Sequence, residues 1–208
     1  MFQSKLRYLE KEEIKKLIDH CDDFLRPIII VALNTGMRRA ELFNLRWHDI
    51  DFNKGIIHLL RTKNGEKREI PMNQAVNTAI TKARKHPGSE YVFCTKTGNC
   101  YTDIRKPFAR SLKRAGIADF RFHDLRHTFA SQLAMASVDL NTIRELMGHK
   151  SMRMTIRYAH LSSNHKNHAV DLLNECLDTT IDTQLTQRAI EDNQSDSKNN
   201  VNSVMVVV

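Results

Sequence analysis

At 208 residues, with 41% apolar and 27% charged side chains, the chain can bury a sizeable core and has the composition of an ordinary water-soluble domain. No stretch is long and apolar enough to span a bilayer, and the opening Met1-Phe2-Gln3-Ser4-Lys5 lacks the basic-then-apolar order of a secretory leader. The net charge of +8 is uneven, because residues 178–208 hold five acidic and two basic side chains and leave +11 on the first 177.

Residues 10–24 read as an amphipathic helix with Ile14, Leu17, Ile18 and Cys21 on one stripe. Pro27 opens a second helix through the apolar run Ile28–Leu33, and Gly36 ends it. A short third helix carries Glu41, Leu42 and Leu45. The pattern then changes: Gly55–Leu60 and Lys67–Ile70 flank Asn64-Gly65, a strong hairpin signal. Helical patterns return afterwards. Asn73 caps 74–85, Asp103 caps 104–115, and a helix runs from about His123 to Ala136. Asn141 caps a short helix ending before Gly148, Ser151 caps the one that carries Tyr158, and a last helix covers about 164–177. Beyond Asp178 the chain is polar and poor in aromatics, the composition of a disordered tail. The expected fold class is mainly α with a small antiparallel β-hairpin sheet, an α+β arrangement, with residues 1–177 as one domain and 178–208 as a flexible tail.

A basic body points to a polyanionic partner, most often nucleic acid. Cys21, Cys94, Cys100 and Cys176 form no CxxC pair, which argues against a zinc ribbon or disulfide framework and fits a reducing cytoplasm. Six residues together supply what breaking a phosphodiester without a metal requires. Arginine stays charged and grips phosphate oxygens with paired hydrogen bonds, which suits Arg38 and Arg126. Glu41, three residues after Arg38, shares its helical face and can orient it. Lys63, before the Asn-Gly tip, can reach into a groove as a proton donor, with Lys67 and Arg68 as competing candidates. His123 and Arg126 share one face at a helix start. The pair His123 and His127 also has the spacing of a zinc-binding HxxxH, though Arg126 would place a cation beside the metal. His127 is otherwise expected to pack or cap. His149 follows a helix-breaking glycine at the start of the next helix, where anions bind. Tyr158 is a candidate nucleophile whose phenol surrounding cations would help to ionise. Arg39, Lys67, Arg68 and Lys150 are assigned to the DNA backbone.

These segments resemble the tyrosine recombinase family, the phage-type integrases. The matches are Thr35-Gly36-Met37-Arg38-x-x-Glu41, the hairpin Lys63, His123-x-x-Arg126, Leu146-Met147-Gly148-His149-x-Ser151 and the Tyr158 segment, in the family's order. The wording around Tyr158 is closer to phage and mobile-element integrases than to Xer recombinases. The resemblance implies that Tyr158 attacks the scissile phosphate to give a 3′-phosphotyrosine and a free 5′-hydroxyl. It implies that Arg38, Arg126 and His149 hold the non-bridging oxygens, that Lys63 protonates the leaving oxygen, and that His123 assists. It further implies double-stranded DNA as partner, a homo-tetramer on DNA, a tail that docks on a neighbour, and no metal, cofactor, membrane or small-molecule substrate. The family's N-terminal clamp domain has no counterpart in a pattern that begins near Met1. A type IB topoisomerase-like enzyme, or a DNA-binding protein without strand transfer, would carry the same residues.

Overall fold

The chain divides into two units, Met1–Ser162 and Ser163–Val208. The structure, a computed structural model, describes residues 6–59, 67–83, 85–161, 170 and 172, and its named elements all lie in the first unit. The Lys63 hairpin tip, most of the helix expected over 164–177, and the tail beyond Asp178 fall outside the described residues.

Helix α1 (Lys11–His20) sends Leu17 into the core, and the Glu13 carboxylate accepts the Glu10 N–H at 3.1 Å to close its first turn. Helix α2 (Arg26–Thr35) is the most apolar of the early elements and buries Ile28, Ile29, Val31 and Ala32. It ends where Gly36 takes φ +60° and donates its N–H to the Ala32 carbonyl. A side chain at Gly36 would be strained by that φ, and its Cβ would stand 2.4 Å from the Phe129 ring. Helix α3 (Arg39–Phe43) follows after three residues, opened by Arg38 in extended backbone.

The sheet has three antiparallel strands rather than the hairpin alone: β1 (Ile50–Asp51), β2 (Ile56–Leu59) and β3 (Arg68–Pro71). Ile57 lies opposite both Ile50 and Ile70, so alternate residues place one apolar row against the helices. Helix α4 (Gln74–Thr81) is capped as its sequence implies, the Asn73 side chain accepting the Val76 N–H at 3.0 Å. Two expected caps shift. Helix α5 (Arg105–Ala115) starts after Ile104, although the Asp103 carboxylate still accepts the Arg105 N–H. Helix α7 (Leu140–Met147) is capped by Asp139, while Asn141 sits in the first turn and donates to Glu145. Both residues have the right side chain for a cap, and Asp139 reaches two backbone N–H groups. Helix α8 (Met152–Thr155) begins after Ser151, whose side chain makes no cap bond, and runs into a 3₁₀ turn over Ile156–Leu161.

Helix α6 (Asp124–Met135) is the axis of this unit. It is buried on several faces, which accounts for its weak amphipathic pattern. It packs against α2, α7 and the 3₁₀ turn. Thr128 and Gln132 tie it to the backbone of Leu9. One apolar cluster fills the space between α1–α5 and the sheet, and a second joins Phe129, Ala130, Ala134, Ile143, Met147 and Tyr158.

Candidate active site

The last carbonyls of an α-helix have no partners within the helix and form its negative pole. At the end of α7 those carbonyls meet arginines from three other elements. Gly148 closes the helix at φ +60°, with its N–H on the Glu145 carbonyl and the His149 N–H on that of Arg144. The Met147 carbonyl accepts Nη2 of Arg126 from α6 and, at 2.7 Å, Nη1 of Arg68 from β3. The Gly148 carbonyl accepts Nη2 of Arg38 at 2.9 Å. Arg126 also donates Nη1 to the Gly36 carbonyl, so it binds the ends of both α2 and α7.

Among the described residues, Glu41 supplies the carboxylate bonded in this cluster. Its Oε1 accepts Nη1 of Arg38 at 2.7 Å, while its Oε2 accepts the Arg38 backbone N–H at 2.8 Å and Nη2 of Arg68 at 3.0 Å. The expected Arg38–Glu41 orientation is therefore present, and Arg68 adds a second guanidinium. Arg68, assigned from the sequence to the DNA backbone, has its side chain buried against Glu41 and Met147, only 8% exposed. Burial, followed by repulsion from Arg38 and Arg68, lowers the Arg126 pKa to about 10. Three guanidiniums thus face one carboxylate, and an anion would complete their electrostatics. A cleft of about 430 Å³ opens beside them, lined by Arg38, Arg68, Gly148 and His149 together with Lys67.

His149 is buried with its Nδ1 2.8 Å from the Thr155 hydroxyl. Burial and then the charges of Arg126 and Arg38 push its pKa down to about 4, so the ring is neutral near pH 7. His123 is accessible, and partial desolvation followed by the Arg126 charge lowers its pKa as well. Its ring meets His127 edge-on at 5.1 Å.

Tyr158 departs from the expectation that surrounding cations ease its ionisation. It is 1% exposed, packed in the second apolar cluster. Burial raises its pKa, and the opposing pull of Arg157 and Arg126 does not overcome that. Its hydroxyl lies 2.7 Å from Nδ1 of His127. Burial and the neighbouring His123 bring the His127 pKa to about 4, leaving a neutral ring that accepts the phenolic hydrogen when its own proton is on Nε2. His127 is thus a partner of the tyrosine, a role the HxxxH spacing does not disclose. Arg39, Lys67 and Lys150 are exposed, whereas Lys63 lies outside the described residues.

The model of the phage integrase family matches residues 7–165. The integrase of Salmonella phage P22 is 38% identical over 178 residues, covering 77% of this chain and 45% of that protein. The tyrosine recombinase XerA of Pyrococcus furiosus is 36% identical over 176 residues, covering 80% of this chain and 61% of the relative. The chain therefore spans about half the length of these relatives. Among solved structures, the Tn1549 transposon integrase in complex with circular intermediate DNA superposes with a TM-score of 0.64 at 26% identity, covering 75% of this chain and 61% of that one. The matched span contains the α7 terminus, its arginines, His149 and Tyr158, and the chain belongs to the phage integrase family.

Proposed function

We propose that this chain is the catalytic part of a site-specific DNA recombinase that cuts and rejoins strands through a 3′-phosphotyrosine. One observation carries the reading: Arg38, Arg126 and His149 converge on the α7 terminus, in a cluster short of negative charge, with Tyr158 on the segment that follows. The substrate that suits such a cluster is a phosphodiester of double-stranded DNA, a reading supported by the likeness to the Tn1549 transposon integrase in complex with circular intermediate DNA. Arg38 and Arg126 neutralise the non-bridging oxygens, and the neutral His149 donates a hydrogen bond. Each such preorganised donor contributes about 10²–10³ in rate.

Tyr158 Oη forms the bond to phosphorus as the bond to the 5′ oxygen breaks. The phenol passes its proton to His123, and Lys63 supplies one to the departing oxygen. Burial of the phenol means that the 3₁₀ segment must turn Tyr158 outward before attack. The covalent bond conserves phosphodiester energy, so a second strand's 5′-hydroxyl reverses the step without nucleotide hydrolysis or a metal. Exchange two strands at a time calls for four copies on DNA. Arg39, Lys67 and Lys150, all exposed, serve the DNA backbone. A nicked suicide substrate tests the reading. The chain should form a covalent DNA adduct that Tyr158→Phe abolishes; an unmodified chain that binds the duplex yet yields no adduct would refute it.

A further inference from the structure

Arg68 is an expensive residue to bury. Its side chain is almost fully enclosed, its Nε has no hydrogen-bond partner, and two further guanidiniums stand close by. A buried charge of this kind is unfavourable unless well paired, and apolar replacements are often neutral or stabilising. The fold makes deliberate room for it: a Cβ at Gly148 would lie 2.2 Å from Nη1 of Arg68. Its two partners are the shared anchors of the other arginines. Through Nη2 it holds Glu41, which aims Arg38; through Nη1 it holds the Met147 carbonyl, which aims Arg126. Arg68 shares each terminal partner with another arginine, Glu41 with Arg38 and the Met147 carbonyl with Arg126, and so is placed to set where those two stand.

We propose that Arg68 is a positioning residue of the phosphate site, fixing the anchors from which Arg38 and Arg126 address the scissile phosphate. The proposal rests on the recombinase reading above. Removing Arg68 leaves Glu41 with Arg38 alone, free to swing toward the cleft and to draw Arg38 with it. The planar fork matters beyond its charge, since lysine cannot span Glu41 and Met147 with two fixed donors.

The test compares suicide substrates carrying either an ordinary phosphodiester or a neutral methylphosphonate at the scissile position. On the phosphodiester, Arg68→Met should slow adduct formation about 10²-fold, the order of one misplaced preorganised donor, with duplex affinity nearly unchanged. Arg68→Lys should recover only part of the rate. On the methylphosphonate, where less charge needs neutralising, the Met variant's deficit should shrink to under about 10-fold. Equal deficits on the two substrates would show that Arg68 merely supports the fold, and so would a deficit that tracks the fraction folded in urea; either overturns the proposal, as does no deficit at all. If Arg68→Met does not fold, Arg68→Lys carries the same comparison. Absence of any adduct from the unmodified chain would instead remove the recombinase reading itself.

Discussion

Gly148→Ala is expected to destabilise the protein through two separable costs. The first is the backbone, which at φ +60° and ψ 49° is left-handed and costs an alanine about 1–2 kcal/mol. The second is a collision. The new Cβ would lie 2.2 Å from Nη1 of Arg68, whereas carbon contacts settle near about 3.5 Å, so the guanidinium must retreat by about 1.3 Å. That displacement breaks its 2.7 Å bond to the Met147 carbonyl, a charged hydrogen bond with a net contribution of about 1.5–3 kcal/mol. The sum, about 2.5–5 kcal/mol, is a large share of the roughly 5–15 kcal/mol that holds a domain together. The variant should fold but denature at distinctly lower urea. A double-mutant cycle with Arg68→Ala separates the costs. With the guanidinium gone, Gly148→Ala should cost only its backbone share, giving a coupling of about 1.5–3 kcal/mol. Gly148→Asn, better suited to left-handed backbone, should pay mainly the collision. Additivity of the two substitutions within about 0.5 kcal/mol would refute the reasoning, because neighbours in true contact do not add.

Two further outcomes follow from the titrating groups. Burial raises the Tyr158 pKa, so its phenol should be among the last of the four tyrosines to ionise in an alkaline ultraviolet titration. Tyr158→Phe should remove a step above the ordinary range; loss of a step near pH 10 would contradict the buried geometry. For His149 the folded pKa is about 4 against an ordinary 6.5, so the unfolded chain binds the extra proton between these values. The associated stability is present above pH 6.5 and is lost as pH falls toward 4, up to about 3 kcal/mol. His149→Gln should therefore lose less stability than the unmodified chain between pH 7 and 4.5, and parallel losses would exclude a buried neutral ring.

The sequence discloses what is local. Pro27 and Gly36 bracket α2, Asn73 caps α4, and Arg38 with Glu41 form the pair their spacing implies. It is silent where a role depends on residues brought in from other elements. Arg68 looks like one more hairpin cation until Glu41 and the α7 terminus fold over it. His127 and Tyr158 are separated by 31 residues, and nothing in either segment announces their contact. Asp139 and Asn141 have equal local claims to the cap of α7, and only the geometry chooses between them. The two-residue β1 is too short to leave an alternating pattern.

Arg126 and His127 are successive residues of α6, turned about 100° apart around its axis. One faces the carbonyls of Gly36 and Met147, the other the phenol of Tyr158. The arginine cluster at the α7 terminus and the seat of Tyr158 are thus registered by a single peptide unit, whose α-carbons stand about 3.8 Å apart. Loops and neighbouring helices can shift without altering that spacing, whereas a twist of α6 moves both compartments at once.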